Sequence, residues 1–401
     1  MNYRGSKYKL TSTINMDRVK NYVRRYFNDG FSYEEILEFL KIRHEYICSL
    51  STLKRFLRKN GLRKRPLANF RDSNNLIVEA IRIELDGSGR GMGYQRMHQA
   101  LISQGIHCRR EDVRKIVKEL DSEGVELRRK KRLHRRKYVT KGPNYVWHIE
   151  GHDKLKPYGF SIHGCIDRFS RKVIWLEVGP SNKLPDIIAQ YYLDAVSKYG
   201  CPKNIKADDG TEHTLIEPVH IALRMINDHE DNALNSFSII TSPQNQRIEA
   251  YWSILQRDRI GWWRRFFQDL ADLDMFTNDP VIIECIRFCF TDIIRKDLVS
   301  IKNDWNVHII SRSRNNGTRG RPDTMYYLPH LFDTRDYKIE IDPDEFADVA
   351  VCVSNDIEDV SDEFKEFARE VLRGSGFEEV NDVTDALKVY FFLLGKIEEY
   401  N

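Results

Sequence analysis

The chain has 401 residues, of which 41% are hydrophobic and 31% charged, so it can bury the cores of two or three globular domains. We predict no membrane span and no signal peptide, because no apolar run approaches the roughly 18 residues that a spanning helix needs. The net charge of +4 hides an asymmetry: residues 1–141 carry 34 basic and 16 acidic side chains, whereas residues 330–401 carry 7 and 20. The basic N-terminal third predicts a nucleic-acid partner.

The seven cysteines are scattered and odd in number, which predicts reduced thiols in an intracellular protein. His44 and Cys48 form a pair with metal-ligand chemistry, and no second such pair lies near them in the sequence. We therefore predict no structural zinc site.

Residues 1–15 carry no pattern and are predicted to be a mobile tail. Residues 16–66 predict three helices, of which the second starts with a capping box made by Ser32 and Glu35 and the third is capped by Ser49. This order is typical of a helix-turn-helix unit that contacts DNA through its third helix. The predicted DNA-contacting residues there are Lys54, Arg55, Arg58 and Lys59. A plain three-helix bundle with a solvated basic face is the alternative.

Residues 67–127 predict a second helix-turn-helix-like unit, interrupted by a flexible break at 87–91. The predicted DNA-contacting residues of its last helix are Arg109, Arg110, Arg114 and Lys115. A basic linker follows at 128–142, where Arg135 and Arg136 are further DNA-contacting candidates. This run predicts a nuclear-import signal, a linker that tracks DNA, or both, and a solvated linker without a partner is the alternative.

Three short segments between Trp147 and Trp252 place acidic side chains where a metal site needs them. Glu150 ends one apolar strand-like run, Asp208 ends another, and Glu249 lies one turn into a predicted helix. One such acid alone is more often a solvated turn residue. Three together supply the oxygen ligands of a two-metal phosphoryl-transfer site.

These segments resemble the integrase core of retroviral-type integrases and DDE transposases, and most closely the integrase-core proteins of eukaryotic mobile elements. The family pattern Trp-His-Ile-Asp-Gly corresponds to Trp147–Gly151, Asp-x-Gly-Thr-Glu-Asn to Asp208–His213, and Asn-Gln-Arg-Ile-Glu-x-x-Trp to Asn245–Trp252. The resemblance implies an α/β ribonuclease-H-like catalytic core, a mixed five-stranded sheet with helices, at 143–329 with a C-terminal helical extension. The all-α helix-turn-helix units would precede this core.

The resemblance further implies a homo-oligomer on DNA that integrates or transposes DNA by two-metal phosphoryl transfer. Glu150, Asp208 and Glu249 would be both the catalytic residues and the ligands of Mg²⁺ or Mn²⁺. Five neighbours could tune the site, although a structural role is favoured for each: His148, Asp153, Asp167, Asp209 and Glu212. Glu150 replaces the family aspartate, and its extra methylene moves the carboxylate by roughly 1–1.5 Å, so we predict weakened Mg²⁺ activity with partial rescue by Mn²⁺. The alternatives are a catalytically impaired or host-retained DNA-binding derivative, and a nuclease for RNA–DNA hybrids.

Two further segments complete the chain. The aromatic and arginine residues of 260–269 could stack on nucleobases or close the core, and we favour packing. Residues 330–401 form an acidic region with two weak helical patterns, at 356–374 and 384–394, which we predict to be a solvated tail. The alternative is that this acidic segment docks on the basic N-terminal third and competes with DNA.

Overall fold

The structure is a computed structural model. It describes residues 16–62, 70–122, 125, 140–227, 233–241, 244–311, 318–354, 358–377 and 380–400. Six helices precede the sheet: Met16–Asn28 (α1), Tyr33–His44 (α2), Leu50–Lys59 (α3), Phe70–Asp86 (α4), Tyr94–Ser103 (α5) and Arg110–Leu120 (α6). The predicted N-terminal tail and most of the predicted basic linker, including Arg135 and Arg136, lie outside the described residues.

The capping signals of the first unit act as predicted. The backbone N–H of Glu35 donates to Ser32 Oγ at 3.1 Å, and the Glu35 carboxylate accepts from the Ser32 N–H at 2.8 Å. Ser49 accepts from the N–H of Thr52 at the start of α3. These contacts satisfy N–H groups that a helix leaves open, so α2 and α3 begin where the sequence indicates.

The segment predicted to be a flexible break is a packed turn, so that prediction is wrong. Ser88–Gly91 forms a 3-10 turn that packs on the π-helical segment Gln256–Ile260. A Cβ atom at Gly91 would lie 1.6 Å from the carbonyl oxygen of Arg257, so no larger side chain fits at this contact. The glycines of this segment permit close backbone approach, which the sequence pattern does not distinguish from flexibility.

An arginine joins the second helical unit to the core beside this turn. Arg259 is 7% exposed, and its guanidinium lies 3.2 Å from Glu84 of α4. The same group lies 3.7 Å from Asp297 and 3.5 Å from Asp304, which belong to a long helix of the core. The charge of Arg259 thus offsets carboxylates from two parts of the chain.

The sheet confirms the predicted fold class. Its strands are Trp147–His152 (β1), Ser161–Asp167 (β2), Val173–Gly179 (β3), Ile205–Ala207 (β4) and Phe237–Ile239 (β5), in the order β3-β2-β1-β4-β5. β1, β2 and β3 pair antiparallel, whereas β4 pairs parallel with β1 and β5 parallel with β4. The helix Pro185–Tyr199 (α7) makes the crossover that a parallel pair requires. This arrangement is the mixed five-stranded sheet of a ribonuclease-H-like core.

Eight further helices complete the described chain: Ile216–Asn227 (α8), Gln246–Leu255 (α9), Gly261–Asp272 (α10), Pro280–Val307 (α11), Pro322–Tyr327 (α12), Pro343–Ala350 (α13), Asp362–Leu372 (α14) and Val383–Tyr400 (α15). In α10, Trp263 and Phe267 are buried, which confirms packing as the role of these aromatic residues. No helix of the described residues has the length and apolar character to cross a membrane.

The prediction of a solvated C-terminal tail is wrong for the residues that the structure describes. Tyr390 and Leu393 of α15 are fully buried against α11, and the Tyr390 hydroxyl donates to the carbonyl of Met275 at 2.6 Å. Phe364 of α14 joins the same core, whereas α13 packs on α8. The acidic residues occupy the outer faces of these helices, so the average composition conceals their apolar inner faces.

Candidate active site

Glu150 lies in β1, the middle strand of the sheet, opposite Gly164 of β2. Its side chain is largely buried, with the residue 8% exposed. The Trp252 indole of α9 packs over Gly164, where a Cβ atom would lie 2.6 Å from the ring. The missing side chain at Gly164 therefore allows α9 to approach the strand that carries Glu150.

Asp208 directly follows β4. The parallel register aligns Trp147 with Ile205, so Glu150 and Asp208 each lie three residues beyond an aligned pair. Equal offsets on neighbouring parallel strands place two residues at the same level of the sheet. The topology thus brings the first two predicted acids together at one end of the neighbouring strands β1 and β4.

Glu249 reaches the same end of these strands because Asn245 connects the start of α9 to β1 by hydrogen bonds. The buried Asn245 amide donates to the Ile149 carbonyl at 3.3 Å and to the Glu150 carboxylate at 3.4 Å. Its oxygen accepts a hydrogen bond from Nδ1 of His148. Burial lowers the pKa of His148 to about 3, so this ring is neutral. In the sequence, Asn245 stands out only as part of a motif, and no local signal reveals this positioning contact.

The electrostatics show that the three carboxylates lie together. Burial, followed by the neighbouring Glu249 and Asp208 carboxylates, raises the pKa of Glu150 to about 9. Burial also raises the pKa of Asp208, and Glu249 again contributes. The structure thus groups all three predicted acids into one site where their negative charges repel each other.

Glu212 adds a fourth carboxylate to this site. Ligand atoms of Asp208, Glu212 and His213 lie within 4.8 Å of one another. A Cβ atom at Gly151, next to Glu150, would lie 3.4 Å from Glu212 Oε1. From the sequence, Glu212 is a neighbour that could tune the site, with a structural role favoured, because its spacing alone does not reveal that its side chain folds back toward β1.

A buried row of rings stands behind Asp208. The Trp175 indole N–H donates to His163 Nδ1 at 3.1 Å, and Nε2 of His163 lies 3.3 Å from Nε2 of His213. Burial lowers the pKa of both imidazoles, so both rings are neutral.

The hydrogen positions along this row follow from the indole, which can only donate. His163 must accept at Nδ1, so it carries its hydrogen on Nε2 and donates to His213. His213 accepts there and therefore carries its own hydrogen on Nδ1, which lies 3.4 Å from Asp208 Oδ1. These two atoms form no hydrogen bond of good geometry, so His213 acts on the Asp208 carboxylate through the N–H dipole that faces it and does not offer Nδ1 to a metal.

The comparison with protein families agrees with this geometry. A family model described as an integrase core domain matches residues 137–327. The chain carries an integrase core domain. This domain indicates an integrase- or transposase-like function. A search of curated proteins gave no match to the chain.

Of the other predicted site residues that the structure describes, the basic ones lie on or beside two N-terminal helices, whereas Asp153 and Asp167 lie within the integrase core. The basic residues predicted to contact DNA on α3 and α6 are all exposed: Lys54, Arg55, Arg58, Lys59, Arg109, Arg110, Arg114 and Lys115. Asp153 pairs with Lys156 at 2.7 Å on the surface, and the buried Asp167 accepts from the N–H groups of Asn144 and Ser170. These two acids stabilise turns and do not join the carboxylate group.

Proposed function

We propose that the integrase core catalyses metal-dependent phosphoryl transfer on DNA, that is, strand cleavage and strand transfer. The observation that carries this proposal is the convergence of Glu150, Asp208 and Glu249 from two strands and a helix at one edge of the sheet. Isolated surface acids would be solvated, whereas these carboxylates share a partly buried site with unfavourable mutual repulsion.

The donor set fits a divalent cation. Carboxylate oxygens are the ligands that Mg²⁺ and Mn²⁺ prefer, and a cation would offset the repulsion that raises the pKa of Glu150. Glu150, Asp208 and Glu249 would hold two such ions, with Glu212 near them. When bound, the metal supplies polarisation of the phosphoryl oxygens and a lowered pKa for the attacking hydroxyl.

The chain's own residues prepare the site for this reaction. The Asn245 amide fixes Glu150 and the start of α9, and the His213 N–H faces Asp208. Trp252 and His152, whose rings lie 5.0 Å apart, are both buried near the strand that carries Glu150. The exposed basic residues of α3 and α6 would hold DNA phosphates, so the scissile strand is positioned by residues remote from the carboxylates.

Glu150 does not remove the geometry that the proposal requires. Its carboxylate lies within reach of Asn245 and interacts with Glu249, although it stands where the family resemblance implies aspartate. A catalytically impaired DNA-binding derivative is therefore an outcome of the test and not the favoured reading. The homo-oligomeric state and the nuclear location stay predictions.

The test is nicking of supercoiled plasmid by the full chain in Mg²⁺ and in Mn²⁺. We expect nicking in wild type, its loss in Glu249→Gln, and its retention in Glu217→Gln, which makes the same change at an exposed residue of α8. Salt-sensitive DNA binding should persist in both variants. Nicking that survives in Glu249→Gln contradicts the proposed site. Binding without nicking in either metal identifies a DNA-binding derivative instead.

A further inference from the structure

A cavity of about 440 Å³ lies where three parts of the chain meet, apart from the carboxylate site. Phe27 of α1 and Gly30 of the turn after it line one side, and α5 and α6 contribute further residues. The segment that follows α11 forms the remaining wall. Its volume lies in the range of pockets that hold small organic ligands.

The charged groups of this cavity are all positive. None of the described residues that line it carries a carboxylate, whereas three of them are arginines. Arg321 is buried, donates to the Gly30 carbonyl at 2.7 Å and lies 3.9 Å from Glu35, so its charge is already offset. Arg110 and Arg319 are exposed. These two guanidiniums suit the cavity to an anion such as a phosphate group.

The cavity is also lined by three uncharged polar side chains, which a site for a simple anion would not require. His98 Nε2–H donates to the Cys108 carbonyl at 3.0 Å, and His308 Nδ1–H donates to the Trp305 carbonyl at 2.5 Å. The Gln99 amide donates to the Asp29 carbonyl at 3.2 Å. Burial lowers the pKa of both imidazoles, for His308 to about 3, so both rings are neutral.

Each of these three side chains therefore keeps an acceptor: Nδ1 of His98, Nε2 of His308 and Oε1 of Gln99. Acceptors would repel a phosphate oxygen, but they match the exocyclic amino group of a nucleobase. The flat imidazole rings can also pack on the face of a base. The cavity thus combines donors for a phosphate with acceptors for a base.

We propose that this cavity binds one nucleotide, with its phosphate on Arg110 and Arg319 and an amino-bearing base among His98, Gln99 and His308. The nucleotide is either free or an unpaired unit of a DNA strand. The second source rests on the proposed function, since Arg110 is the first residue of α6, one of the helices predicted to contact DNA. The nucleotide chemistry itself does not depend on catalysis.

The test is calorimetric titration of the full chain with dAMP, dTMP and inorganic phosphate. We expect dAMP to bind about tenfold or more tightly than phosphate, and more tightly than dTMP, which lacks an exocyclic amino group. Arg319→Glu and Ile309→Trp, which fills the cavity, should each weaken dAMP binding by about tenfold or more. Arg369→Glu on α14 reverses a charge at an exposed residue far along the chain and should leave the affinity unchanged.

Unchanged thermal melting of Ile309→Trp would exclude misfolding as the cause of lost binding, and Arg319→Glu tests the site independently. Phosphate binding as tight as dAMP binding, or no binding of dAMP to wild type, overturns the proposal. A short single-stranded oligonucleotide that displaces dAMP assigns the DNA source, whereas dAMP binding without competition assigns a free nucleotide, and both results support the site. Plasmid nicking without dAMP binding removes the cavity proposal alone, and dAMP binding without nicking removes only the proposed catalysis.

Discussion

The side chain of Glu150 is one methylene longer than the aspartate that the family resemblance implies at this place. Because Mg²⁺ tolerates little departure from octahedral geometry, we expect Glu150→Asp to raise Mg²⁺-dependent nicking and to lower the ratio of Mn²⁺ to Mg²⁺ activity. Initial rates of plasmid nicking in each metal measure both quantities. Lower activity in the variant would show that the longer side chain, held by Asn245 at 3.4 Å, is an adapted ligand.

His213 allows a second prediction, because its Nδ1–H faces Asp208 while its other nitrogen accepts from His163. His213→Phe removes the donor and should weaken Mn²⁺ affinity by about 10- to 100-fold, the usual effect of losing a group that orients a ligand. His213→Asn keeps an N–H donor and should restore most of the affinity. Calorimetric Mn²⁺ titration measures this independently of nicking.

The matched control for that series is His330→Asn, the same change at a half-exposed histidine remote from the carboxylates. Equal loss of Mn²⁺ affinity in His213→Phe and His213→Asn would indicate that the imidazole itself is a ligand. That result would overturn the hydrogen assignment that starts at Trp175.

A third prediction concerns His220, which is fully buried beside the Tyr192 hydroxyl at 2.7 Å. Burial lowers its pKa from 6.5 to about 3, so between these values the unfolded chain binds a proton that the folded chain does not. The free energy of unfolding therefore falls as the pH falls below 6.5, by up to about 1.4 kcal/mol per pH unit from this group. Denaturant titrations at several values between about pH 4 and 6 give the slope of the unfolding free energy against pH. This slope should be smaller in His220→Gln by this amount. An unchanged slope would mean that His220 is protonated in the folded state.

At the scale of elements, the contact between the Ser88–Gly91 turn and the π-helical segment depends on Gly91. Gly91→Ala would bring a methyl group to 1.6 Å from the Arg257 carbonyl oxygen, so the turn must move away. We expect the free energy of unfolding to fall by about 3 kcal/mol, at the upper end of overpacking costs. We also expect α4–α6 to become more sensitive to protease. Gly93→Ala is the control, because a Cβ atom there meets nothing within 4 Å. Comparable destabilisation by both changes would contradict the close contact.

The elements also show how far local sequence determines this structure. The capping box at Ser32 and Glu35, the order of the strands and the placement of Asp208 directly after a strand follow from short patterns, because backbone hydrogen bonding and side-chain periodicity are local. The predicted strand end at Glu150 is wrong, since β1 continues through Gly151 to His152. The contact of Gly91 with Arg257 joins residues 166 positions apart, and no local signal announces it. The row from Trp175 to His213 is equally non-local, since three separate segments supply its rings.

At the scale of the whole molecule, the acidic C-terminal helices show why composition misled the sequence analysis. Net charge describes the outer surface of a helix, whereas one apolar face is enough to dock it. Tyr390 and Leu393 recur at helical spacing within an acidic region and fill the core beside α11. The tertiary partner of that face could not be identified from the sequence, because α11 lies about a hundred residues earlier in the chain.

Two buried arginines hold both helical units against the core: Arg259 through Glu84, and Arg321 through Gly30 and Glu35. Under the proposed function, these contacts would therefore fix the separation between the helices that bind a DNA site and the carboxylates that cut the DNA. The distance between a recognised sequence and the broken phosphodiester would be a fixed number of base pairs. Loosening either arginine would spread the cut positions along the strand before it abolished cutting.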